Sequence, residues 1–275
     1  MKKIFLLFAI LTLTLSAGVF LSGCGPSEEE QAAIDAFNAE VTRIQDQIDQ
    51  RDKAVEEAQT LLKDERPPLY EDDQIPLEDA VKEAKAISFE APDVPKELEE
   101  INSATEELKG IDYEEPIKKV EDATVALDIS KRKCELVTAP DEKYVIKCLE
   151  KVKDIKKVAA VTEDNDPNGM LGKQGGYTAQ IYFSSPMVKD PYDLYTGKPI
   201  KDGTDGGGSI EVYSTNDEAK TREEYLAGFD STGGLSSGSH IVVGTCLVRT
   251  SSELKASQQK KLQNEIIDAL TELEG

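Results

Sequence analysis

From Ile34 onward, apolar side chains recur at alternating steps of three and four. The series is Ile34, Phe37, Val41, Ile44, Ile48, Val55, Ala58 and Leu62, with Arg51 standing in the place of one member. Glu, Asp, Gln and Lys fill the positions between. This is the spacing of a heptad seam along one helix face. It predicts a long helix over 28–66, its seam from Ile34 to Leu62 about 45 Å in length at 1.5 Å per residue, stopped by Pro67-Pro68. An apolar stripe this long must be covered. The cover is either a second chain or later helices of the same chain. The second option needs no partner concentration and is the expected one.

Between 67 and 137 the pattern breaks into short helices separated by prolines. One carries the stripe Leu98, Ile101, Thr105, Leu108; the next carries Ile117, Val120, Thr124, Leu127. Ile75 and Glu78 recur as Ile111 and Glu114 at the same spacing, the mark of a weak internal repeat. Helices this short do not stand alone and must pack on something.

The texture changes after Pro140. "DEKYVIKCLEKVKDI" reads as one helix. Then β-rich segments alternate with glycine-rich loops: "KVAAVTE", "GYTAQIYFSS", "GSIEVYST" and "SHIVVGTCLVRTS". "NDEAKTREEYLAGF" is a helix opened by a capping box at Thr215 and Glu218. An amphipathic helix carrying Leu262, Ile266 and Leu270 closes the chain. The segment "IVVGTCLV" is apolar on both faces and reads as a central strand. The expected fold class is α+β. A helical, coiled-coil-like region is followed, over 138–275, by an antiparallel sheet of about four strands with helices on one face, in a ferredoxin-like arrangement.

Charge narrows the partners. The formal net charge is -22. Nucleic acid is excluded, because binding it needs a basic face. The chain has four cysteines. Cys134 and Cys148 lie about six residues before and eight after Pro140, so a hairpin there would bring them together as a disulfide. Cys246 lies in an apolar strand and reads as a small buried hydrophobe.

The N-terminus gives an address. Lys2 and Lys3 precede a nearly uninterrupted apolar run, Ile4 to Phe20, and no charge follows until Glu28. A basic start, an apolar middle and a small-residue end make a secretory signal over 1–23. An uncleaved membrane anchor is the alternative, since a bilayer takes about 20 apolar residues. Leu21-Ser22-Gly23-Cys24 resembles the lipobox of bacterial lipoproteins. That resemblance implies thioether-linked diacylglycerol on Cys24, cleavage before it, and a lipidated tether over 24–27. The protein is then anchored by acyl chains, palmitate among them, at the extracytoplasmic face of the cell membrane. Farther on, "AAVTEDNDPNGMLGKQGGYTAQIYF", "YLAGFDSTGGLSSGSH" and "VVGTCLVRTS" resemble a recurring cell-surface lipoprotein domain of Gram-positive bacteria. The resemblance implies a location and carries no catalytic residues.

Candidate chemistry is sparse. Asp164, Asp166 and Asn168 match the first half of a calcium loop, but Gly175 stands where the bidentate acid belongs, and Asn-Asp-Pro-Asn-Gly also suits a polar turn. No cofactor is expected, and calcium is the alternative this loop offers. His240 is the single histidine. A hydrolase would use it as base beside Ser236, Ser237 or Ser239, with Asp230 as orienter, though no G-x-S-x-G elbow occurs. Gly203 to Gly208 offers amides for a phosphate but lacks the Lys-Ser/Thr of a P-loop. Tyr177, Tyr182, Tyr192, Tyr195 and Tyr213 supply either core or a carbohydrate- or protein-binding face. The expected function is a non-enzymatic binding or interaction module, displayed on a helical stalk and anchored to the membrane by lipid. The alternatives are a surface hydrolase working through His240 and a structural envelope protein that assembles through its coiled coil.

Overall fold

A computed structural model describes residues 25–189, 192, 194–230 and 237–274. Cys24 and Ser236 lie outside the described residues. The chain divides into two compact units, one holding residues up to Asp46 together with Phe89–Asp112, the other Gln47–Ser88 with Tyr113–Gly275.

The seam forms one helix, α1 (Glu28–Leu62), ending a turn earlier than the sequence suggests. Ser27 caps it: its Oγ accepts from Glu30 N at 3.2 Å while Glu30 Oε2 accepts from Ser27 N at 2.7 Å. In the first unit Ala33, Phe37 and Ile44 of α1 are buried, as are Ile101, Thr105 and Leu108 of α3 (Leu98–Lys109). Arg43 Nη2 donates to the carbonyls of Leu108 at 3.1 Å and Ile111 at 2.9 Å, closing the C-terminus of α3.

In the second unit the later turns of α1 pack against α2 (Ile75–Lys85) and α4 (Glu114–Leu136). Ala54, Val55 and Ala58 meet Leu77, Val81 and Ala84 of α2 and Val120 and Leu127 of α4 in one apolar cluster. The seam is thus covered within the chain. The expectation of short helices throughout 67–137 fails for α4, which runs 23 residues. Pro116 does not break it, because it sits in the first turn, where an N–H has no helical partner to lose. Lys131, itself buried, holds the strap after α1 by donating to the carbonyls of Asp64 at 2.8 Å and Arg66 at 2.6 Å.

The rest of the second unit is α+β, as its alternation of patterns implies. α5 (Glu142–Leu149) is shorter than expected; Asp141 caps it by accepting from Tyr144 N. Among the described residues there are five strands, β1 (Lys157–Ala160), β2 (Ala179–Ser184), β3 (Gly207–Val212), β4 (His240–Val243) and β5 (Cys246–Thr250). They form an antiparallel sheet in the order β1-β2-β3-β5-β4. Between β2 and β3 run a helical turn, α6 (Pro199–Asp202), and a 3-10 turn, Gly203–Gly206. The extra strand arises where one central strand was read. Gly244, at φ +59°, turns "IVVGTCLV" back on itself so that Val243 pairs with Cys246. β5 is interior and β4 lies at an edge.

β3, α7 (Asn216–Asp230), β4 and β5 make a split β-α-β unit with β5 inserted between β3 and β4. The ferredoxin-like expectation goes no further. No strand follows the last helix, α8 (Ala256–Leu270), among the described residues, and β2, from earlier in the chain, takes the place beside β3. Nor do the helices share one face. Val145 and Leu149 of α5 and Leu262 and Ile266 of α8 cover the face formed by Ile181, Phe183, Ile210 and Val248. Ala219 and Leu226 of α7 pack against Leu247, Tyr177 and Tyr213 on the other side.

Candidate functional site

The α7 face of the sheet carries the unusual chemistry. Glu211 of β3 is fully buried. Its Oε2 accepts from Tyr213 Oη at 2.7 Å and from Arg222 Nε at 3.1 Å, and its Oε1 from Arg249 Nη1 at 3.0 Å. A buried carboxylate is tolerable only with such pairing. Arg222 also lies over the ring of Tyr225, 5.3 Å from its centre. Nothing in the sequence reading singled out this group. Its signal was present: one acid and one arginine, each at an inward position of an otherwise apolar strand.

His240 sits beside this group, paired across the sheet with Arg249. Its ring is nearly buried. Nδ1 lies 2.9 Å from Glu223 Oε1 and Nε2 lies 2.8 Å from Asp230 Oδ2. Sequence paired His240 with Asp230, and the structure brings them together; Glu223 was missed. Neither Ser237 nor Ser239 completes a triad. Ser237 Oγ donates to Asp230 Oδ1 at 2.7 Å, and Ser239 Oγ donates to Gln263 Oε1. A general base needs a ring nitrogen turned to the attacking hydroxyl, whereas both nitrogens here face carboxylates from α7. The arrangement ties α7 to β4. Hydrogen bonds from the Ser237 backbone and side chain, then from His240, hold the Asp230 carboxyl down at about 2.

Asp166 organises the loop before β2. Its Oδ2 accepts from the amides of Met170 at 2.6 Å and Leu171 at 2.8 Å; its Oδ1 accepts from Asn168 N at 2.9 Å and from the Tyr177 hydroxyl. Burial opposes the charge, but these donors outweigh it and hold the carboxyl at about 2. Asn168 Nδ2 lies 3.4 Å from both Tyr177 Oη and Gln180 Oε1. Asp164 is exposed and does not share these contacts. Among the described residues no group of three or more His, Cys, Asp or Glu side chains is placed to hold a metal ion.

In the stretch 203–208, Gly207 and Gly208 have a packing reason. A Cβ on Gly207 would come 2.6 Å from Phe183 O, and one on Gly208 2.2 Å from Phe183 Cζ. Of the tyrosines, Tyr177, Tyr182 and Tyr213 are core, while Tyr192 is 80% exposed. Tyr225, exposed and edge-on to Phe229 at 4.9 Å, was not singled out.

Cys134, Cys148 and Cys246 are free, buried thiols. The expected Cys134–Cys148 bond is absent because α4 and α5 aim the two sulfurs differently. Cys134 lies 3.9 Å from Thr138 Oγ1 and lines one cleft. Cys148 lines another, beside Tyr144 and Lys151. Burial raises all three thiols, Cys246 to about 12.

The first of those clefts, of about 540 Å³, lies at the β4–β5 turn. Pro68 and Tyr70 of the strap form one wall, Asn216 and Lys220 of α7 another, and Val242 and Gly244 reach it from β4 and its turn. The strap is fixed: Leu69 N donates to Ser130 Oγ at 2.9 Å, and that hydroxyl bonds Asp73. The turn is fixed too. Thr245 N donates to Val137 O at 2.9 Å, and Ala139 N donates to Thr245 Oγ1 at 2.7 Å. The capping box read at Thr215 and Glu218 forms at the head of α7, both bonds at 3.2 Å. The site is a preformed, mostly apolar recess with hydroxyl, amide and charged groups on its rim. Comparison with protein-family models, with curated proteins and with solved structures found no match.

Proposed function

We propose that the chain is a lipoprotein, held by acylated Cys24 at the extracytoplasmic face of the cell membrane, whose α+β part is a non-enzymatic binding module. The lipobox-like Leu21 to Cys24 supports the anchor. The observation that carries the binding role is the cleft bounded by Tyr70, Asn216 and Val242, with walls braced on every side by the hydrogen bonds described above. Its volume, about 540 Å³, falls in the usual range for ligand sites, about 300–1,000 Å³. The hydrolase alternative has less support: His240 spends both nitrogens on Glu223 and Asp230. Assembly through the seam also loses support, because Val55 and Ala58 are covered by α2 and α4.

Metabolic labelling with a fatty acid tests the anchor. The wild-type protein takes up label. Cys24→Ser does not, and it accumulates as the longer precursor. Label on the substituted protein would overturn the assignment.

A further inference from the structure

We propose that the outer edge of β4, with the cleft beside it, takes up an extended basic segment of a partner protein as an added strand. This rests on the binding-module reading and gives that module a ligand class.

β4 ends the sheet. The two-residue turn pairs Val243 with Cys246, and Thr250 N donates to Ser239 O at 2.9 Å. The groups bonded to β5 are therefore those of Ser239, Ile241 and Val243, by the alternation of an antiparallel ladder. The N–H and C=O of His240 and Val242 point the other way. Among the described residues no backbone group meets them. An unpaired edge is a template for another strand, and main-chain bonds with a pocket for a side chain are how strand addition obtains affinity and specificity. The cleft opens at the Val242–Gly244 end of this edge, where a side chain of the incoming strand enters.

Charge selects the occupant. At the cleft end stand Asp72 and Glu71, the latter 91% exposed. At the His240 end stand Glu223 and Asp230. Lys220 is the cation lining the cleft, and it already pairs with Glu71 at 3.2 Å. A second copy, at net charge -22, would bring the same acids against these. A strand with lysine or arginine at alternate positions offsets them and steers its own approach.

The test uses the full-length protein in detergent and three eight-residue peptides. One alternates Lys and Val. The second is the same peptide N-methylated at alternate backbone nitrogens. The third alternates Glu and Val. The Lys–Val peptide is expected to bind and to slow amide exchange at His240 and Val242 roughly tenfold, with the other two binding at least roughly tenfold more weakly. Val242→Pro removes the outward N–H at an edge position where proline is tolerated; it should weaken binding while the unfolding transition persists. If that variant fails to fold, the methylated peptide on the wild-type protein decides. Equal binding of the methylated or the acidic peptide, protection elsewhere, or no binding at millimolar peptide overturns the proposal. So does concentration-dependent protection of the same amides without peptide, which would assign the edge to a second copy. Fatty-acid labelling reads the anchor separately: peptide failure with labelling intact sinks only the strand-addition assignment.

Discussion

Arg51 Nη1 lies 2.6 Å from the carbonyl oxygen of Ile87. The same nitrogen is 3.1 Å from that of Ala84. The cation that interrupts the apolar seam of α1 closes the C-terminus of α2, where helix carbonyls lack donors and the dipole favours positive charge. Arg43 does the same to α3 through Leu108 and Ile111. The two closures match in sequence: "EAKAISFEAP" and "ELKGIDYEEP" align so that Ala84 corresponds to Leu108 and Ile87 to Ile111. This match joins the ends of α2 and α3 in a register different from the Ile75/Ile111 pairing that the sequence suggests, and it does not bear on that pairing.

Arg51→Met should cost about 1–3 kcal/mol, the penalty for carbonyls stranded away from water. Arg43→Met should cost less. The Arg43 side chain is 37% exposed, against 11% for Arg51, so water can replace it. Urea unfolding reads both. Equal midpoints for the two variants would refute the capping account.

The parts of this fold legible in sequence were those set by local period. The seam, the capping box at Thr215 and the terminal helix all follow from residues within a few turns of each other. Strand order did not follow, because it depends on pairings between distant segments, such as β3 with β5. The miscounted strand has a single cause. Gly244 inside an apolar run marks a turn, and continuous apolarity hid it. The acid of Glu211 stood out in its strand, but its pairing was illegible for another reason: its partners Arg222 and Arg249 come from separate elements.

Acid should destabilise the protein in a defined window. Asp166 and Asp230 have carboxyls lowered from 3.8 to about 2. The folded chain then binds fewer protons than the unfolded chain between these values. The stabilisation is whole above about pH 4 and is lost as pH falls towards about 2. Urea midpoints measured across this window should fall in the wild type. Asp166→Asn should be less stable at neutral pH, since its amide nitrogen now faces either the N–H pair of Met170 and Leu171 or the N–H of Asn168, and its midpoints should fall less steeply with acid. An unchanged slope would count against the loop-anchoring role of Asp166.

Thiol titration separates the free-cysteine structure from the expected disulfide. In a Cys24→Ser chain, Cys134, Cys148 and Cys246 should resist a disulfide reagent while folded, because burial raises each thiol and shields it. All three should react in denaturant without prior reduction. One reactive thiol in denaturant, rising to three after reduction, would restore the bridge.

Gly244 is the residue on which the edge of β4 turns. Its φ of +59° is one that side chains disfavour, and a Cβ there would come 2.4 Å from Val137 O and 2.6 Å from Val137 Cγ2. Gly172 supplies the control. It has φ +68° but nothing within 4 Å of an added Cβ. Gly172→Ala should therefore cost only the left-handed strain, about 1–2 kcal/mol. Gly244→Ala adds a collision with backbone. Relieving it pulls Thr245 from Val137 O and Ala139 N, the bonds that seat the turn beneath the end of α4. Its loss of stability should exceed that of Gly172→Ala, and amide exchange should quicken at Val243 and Thr245. If the two substitutions cost the same, the turn has room to move, and the close approach to Val137 does not fix the position of β4.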